Sequence, residues 1–64
     1  MRTELITHLE NVSNDSFIGF CIQQALQREE GLQTLLVELR MISREHPDVI
    51  IPIIGEEAHA LLMG

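Results

Sequence analysis

Apolar residues recur along this chain at three- and four-residue spacing, the period of one face of a helix. Leu5, Leu9 and Val12 make the first such stripe. Thr3 can cap a helix ahead of it, and Glu4 suits the positive N-terminal end, so the pattern predicts a helix over residues 3–12. Asn11-Val12-Ser13-Asn14-Asp15 then gathers residues that favour turns and caps, with Asn14 or Asp15 as the expected N-cap of the next element.

Ser16 to His46 is the organising segment. Phe17, Phe20, Cys21, Ala25 and Leu26 mark one apolar face, which Ile18 and Ile22 widen. Leu32, Leu35, Leu36, Leu39 and Ile42 repeat the helical spacing further on, with Val37 and Met41 alongside. Gln23, Gln24, Gln27, Glu30, Gln33, Thr34 and Glu38 supply the wet side. Arg28, Glu29 and Glu30 interrupt the stripe just where Gly31 stands, and acids before a glycine suit a helix start better than a helix end. The segment therefore reads as a helical hairpin, 15–29 and 31–46, broken near Glu29–Gly31, with one continuous rod as the alternative.

Pro47 biases His46 away from helical dihedrals, and Pro47-Asp48 reads as a turn. Val49-Ile50-Ile51-Pro52-Ile53-Ile54 is ambiguous, because β-branched residues favour strands while Pro52 spoils a central strand. Pro52 fits the first turn of a last helix over 52–63, in which Ile54, Ala58, Leu61 and Leu62 share a face. An extended Val49–Ile54 run stays open. The fold class is all-α: one domain of three to four short helices with the hairpin as its body.

Length makes this pattern more telling. A chain of 64 residues is marginal alone, since a domain of that size buries only about 60% of its unfolded surface. Yet 45% of the residues are hydrophobic, only two of them aromatic. Cys21 is the single cysteine, so no intramolecular disulfide can staple the fold, and no Cys/His cluster suggests structural zinc. Self-association is the remaining common remedy. A homodimer of paired hairpins, approximating a four-helix bundle, is the expected assembly.

Ten acidic residues oppose four arginines, with no lysine, for a net charge of −6. That balance repels phosphate and argues against direct nucleic-acid binding. The acids are dispersed rather than banked in a row, which also weakens a DNA-mimic reading. The longest apolar run, Val49–Ile54, falls far short of the roughly 20 residues that span a bilayer, so no membrane segment is expected. Residues 1–11 carry charges and lack the apolar stretch of a secretory signal, so the expected setting is cytoplasmic.

Candidate chemistry is sparse. Glu56 and His59 have the Glu-x-x-His spacing that is half of a di-iron motif in helical bundles, leaving a metal-binding bundle as a minor alternative. Cys21 sits among apolar residues without a base within one turn, the setting of a packed thiol rather than a nucleophile. His8 falls on the polar side of its helix and His46 at a helix end. No glycine pattern cradles a phosphate, and Gly19 reads as a packing glycine. Neither enzyme activity, nor a cofactor, nor a metal is expected.

What remains is interaction. The expected function is a regulator or inhibitor that masks a surface on a host or cellular protein, by helix-in-groove or bundle docking. Candidate anchors are Phe17, Phe20, Leu35, Leu39, Ile42, Ile50 and Ile53, with Arg40 and Arg44 as polar contacts. A purely structural homodimer is the alternative. In size and composition the chain resembles the small accessory proteins encoded in temperate-phage early regions. That resemblance implies a single helical domain that acts by binding a host protein, and it assigns a role to no residue.

Overall fold

The computed structural model describes residues 2–64, which form five helices and no strand: α1 (Arg2–Glu10), α2 (Phe17–Arg28), α3 (Leu32–Glu45), α4 (Pro47–Ile54) and α5 (Glu56–Met63). The all-α expectation holds, but three to four helices become five.

Helix α1 stops at Glu10, two residues short of the predicted 3–12. Its end tightens, with Asn11 N–H donating to the His8 carbonyl (3.2 Å) and Val12 N–H to the Leu9 carbonyl (3.1 Å). These are i to i−3 bonds of the kind that often close a last turn. Val12 leaves the helix yet stays in the core. Thr3 is not a cap: it lies inside α1, and its carbonyl accepts from the Thr7 hydroxyl at 3.0 Å. Ser16, rather than Asn14 or Asp15, caps α2, its hydroxyl accepting the Gly19 N–H at 2.9 Å.

The break between α2 and α3 is real and uses two left-handed residues. Glu29 (φ 55°, ψ 28°) is the C-cap of α2, and its N–H bonds back to the Ala25 carbonyl at 2.9 Å. Gly31 (φ 73°, ψ 10°) then opens α3. The hairpin helices are thus 17–28 and 32–45, shorter than predicted at both ends.

The tail departs most from expectation. Pro47 begins a helix instead of a turn, because a missing N–H costs nothing in the first turn and its fixed φ suits that position. Pro52 lies inside α4 rather than at the start of a last helix. It cannot donate to the Asp48 carbonyl, but both residues are exposed, where a missing helix bond costs less than it would in the core. The predicted 52–63 helix is cut at Gly55 (φ 91°, ψ 158°), a region open essentially to glycine alone. The cut lets two short helices each turn an i, i+4 pair inward: Ile50 with Ile54, and Ala58 with Leu62.

Helix α3 is the hub, packing against α2, α4 and α5, while α1 closes the other side between α2 and α5. The buried core is wholly aliphatic: Leu5, Leu9, Val12, Ile22, Leu36, Leu39, Ile50, Ile54, Ala58 and Leu62. Helices as short as α4 and α5 are marginal in isolation. Burying one Leu or Ile contributes about 1.5–3 kcal/mol, so these inward pairs hold the tail in place.

Two side chains of the hairpin clip the flanking helices. The Gln23 amide donates to the carbonyls of Leu9 (3.1 Å) and Val12 (2.7 Å), at the C-terminal end of α1. Arg40 Nε donates to the Leu62 carbonyl (3.2 Å), in the last turn of α5. The Leu62 carbonyl belongs to a helix end that leaves its last carbonyls without an internal partner, while the Leu9 carbonyl takes the Gln23 donor in addition to the Val12 N–H.

Candidate functional site

Four of the six large exposed hydrophobics lie on the hairpin, and the other two, Val49 and Met63, on the tail. Phe17 is 81% exposed, Val37 56%, Phe20 49% and Met41 49%. Phe17 follows the Ser16 cap and begins α2, with its ring on the side opposite Ile22 and Leu26, which face inward. On a helix Phe17, Phe20, Cys21 and Gln24 fall on one side, at i, i+3, i+4 and i+7. Helix α2 therefore has two apolar stripes, one for the core and one left outside.

Between that outer stripe and α3 lies a groove of about 370 Å³. Phe17, Ile18 and Cys21 form its α2 wall; Leu35, Met41 and Ile42 form its α3 wall, with Leu39 beneath. Glu38 is the only charged residue lining it. Cys21 is half-buried in the wall and free. A second groove of about 360 Å³ lies across α3, lined by Leu5, Leu36, Val37 and Arg40 with Leu61 and Gly64 of the C-terminal end.

Helix α3 segregates charge between the two. Glu38 lines the α2 side, and Glu45, seven residues on and therefore about two turns further, falls on nearly the same side of the helix. Arg40 and Arg44 lie on the α5 flank, where Arg40 is engaged by the Leu62 carbonyl. All ten carboxylates belong to exposed residues.

The predicted anchors divide accordingly. Phe17, Leu35 and Ile42 come together in the groove, and Phe20 stands exposed beyond Cys21. Leu39 (1% exposed) and Ile50 (0%) are core residues, so neither is open to a partner. Ile53 is half-buried and packs against the core. Arg40 is an intramolecular clip, while Arg44 is exposed. Met41 and Glu38 were legible as helix positions but not as walls of a groove. Their place depends on where α2 lies.

Elsewhere, Glu56 is exposed and His59 half-buried, with its Nδ1 lacking a hydrogen-bond partner. Among the described residues no group of three His, Cys, Asp or Glu side chains gathers as a metal site would require. No described helix is long and apolar enough to cross a membrane. Set against protein-family models, curated proteins and solved structures, the chain matches none.

Proposed function

We propose that this chain is a non-enzymatic protein–protein interaction module, a regulator or inhibitor that covers part of a cellular protein, and that it docks through the α2/α3 groove. One observation carries the reading: an 81% exposed phenylalanine beside an apolar groove, in a fold whose core is otherwise complete. Large exposed apolar patches on small proteins mark interaction sites, and a groove between two helices suits an amphipathic helix better than a flat partner. The lining lacks the convergent polar groups that orient a small substrate. A phage-encoded accessory role, binding a host protein, is compatible with this reading.

A structural homodimer is the second reading, favoured by Val37 and Met41, which stand one turn apart and exposed on α3. A double variant, Phe17→Ser with Met41→Ser, tests the first reading. The variant should keep its helical circular dichroism and lose the proteins that the unaltered chain captures from its native host. Unchanged capture by the variant would move the docking surface elsewhere.

A further inference from the structure

Resting on the reading that the α2/α3 groove is a docking surface, we infer that its occupant is an amphipathic helix with basic residues one heptad apart along one flank, seated against Glu38 and Glu45. The groove floor and walls are aliphatic and aromatic, so a guest needs an apolar stripe at i, i+3 or i+4, and i+7. The α3 rim carries charge of one sign. Glu38 lines the groove, and Glu45 lies seven residues on, offset by only about 20° around the helix. Arg40, on another side of α3, is held by the Leu62 carbonyl, and Arg28 lines the neighbouring pocket beyond Cys21 together with Glu30, outside the groove lining.

A guest running along α3 therefore meets two carboxylates two turns apart. Lysines or arginines at the same repeat fit that rim, and they fix register and direction as flanking charges do in paired helices. A second copy is the poorer occupant. It brings its own net charge of −6 to the acidic rim, and Arg28 is the one arginine of that copy beside the same outer stripe of α2.

The test uses the full ¹⁵N-labelled chain and two synthetic 15-residue helical peptides. Both carry the same leucine stripe; one has lysine at the two flanking positions seven apart, the other glutamate. The lysine peptide should shift amide signals of Phe17, Cys21, Leu35 and Met41, and should slow alkylation of Cys21. It should bind several-fold more tightly than the glutamate peptide, since rim pairs are each worth up to about a five-fold change in affinity. Glu38→Gln with Glu45→Gln, both at exposed positions, should erase that preference while leaving the apolar contacts in place.

Equal binding of both peptides in the groove would overturn the charge inference and leave the docking surface standing. Shifts scattered over Glu4, Glu10, Glu56 and Glu57 would mean diffuse attraction and overturn it too. If neither peptide perturbs the groove, the docking reading falls with it. Concentration-dependent dimerisation in sedimentation, with broadening of the same groove signals, would assign the groove to a second copy.

Discussion

The carboxamide of Gln23 bridges to the Val12 carbonyl at 2.7 Å and to the Leu9 carbonyl at 3.1 Å, joining α2 to the unwinding end of α1. Gln23 belongs by its residue type to the wet side of the hairpin, yet it is half-buried and closes a helix it is not part of. Each such bond contributes about 0.5–1.5 kcal/mol net. Gln23→Ala should therefore destabilise the domain by about 1–2 kcal/mol, read from urea unfolding. Amide exchange should accelerate first in Thr7–Val12. Uniform acceleration instead would show that α1 does not depend on this clip.

Gly19 faces the opposite constraint. A β-carbon there would collide with the Ser13 carbonyl oxygen and crowd the Ser16 hydroxyl. An alanine normally gains up to about 1 kcal/mol over glycine in a helix. Here overpacking should reverse the sign, costing about 1–3 kcal/mol. A stabilised Gly19→Ala protein in thermal unfolding would mean that the 11–16 turn does not lie over α2.

The two breaks in the helical path should respond differently to alanine. Neither Gly31 nor Gly55 has an atom within 4 Å of an added β-carbon, so backbone conformation alone sets the cost. Gly31 occupies the left-handed region, where alanine costs about 1 kcal/mol. Gly55 sits where other residues scarcely go, and its alanine should cost about 2–3 kcal/mol. Glu29, left-handed without being glycine, offers the converse. Glu29→Gly should gain about 1 kcal/mol. Denaturant midpoints of the three variants give the ordering, and a stabilising Gly31→Ala would restore the continuous rod.

Ser43 is 2% exposed and its hydroxyl has no hydrogen-bond partner. A buried unsatisfied hydroxyl costs about 1–3 kcal/mol, and alanine is the better helix former. Ser43→Ala should stabilise the protein by about 1 kcal/mol. Destabilisation on calorimetry would reveal a partner for the hydroxyl.

Apolar residues of the core and of the groove should separate cleanly. Ile50→Val trims a residue with no exposed surface and should cost about 1 kcal/mol. Phe17→Ser removes a far larger apolar group, yet it should change stability by no more than about 0.5 kcal/mol, because the ring is out in solvent. A large loss at Phe17 would place the ring against the fold and close the groove.

The helical period and the hairpin were legible because they are local: Leu32, Leu36, Leu39 and Ser43 face one way at any packing angle. The Gly31 break was legible from a glycine beside a charge cluster. The direction of α2 was not. Phe17, Phe20, Cys21, Ile18 and Ile22 look like one broad apolar face, and only the position of α1 and α3 decides that Ile22 goes in and the rings stay out. The tail misled for a related reason. Ile50 and Ile53 read as anchors for a partner, whereas the Gly55 break folds Ile50 and Ile54 into the core and leaves Val49 exposed. The groove depends on that same tertiary choice, which is why Met41 and Glu38 were not singled out as its walls.

An aliphatic core has a spectroscopic corollary. The chain has no tryptophan or tyrosine, and its two phenylalanines are exposed. A well-packed sample should therefore give strong far-ultraviolet and almost no near-ultraviolet dichroism, the combination otherwise used to diagnose a molten globule. Dispersed methyl resonances are the proper test of order here. The same two rings, silent when free, become reporters once something covers them.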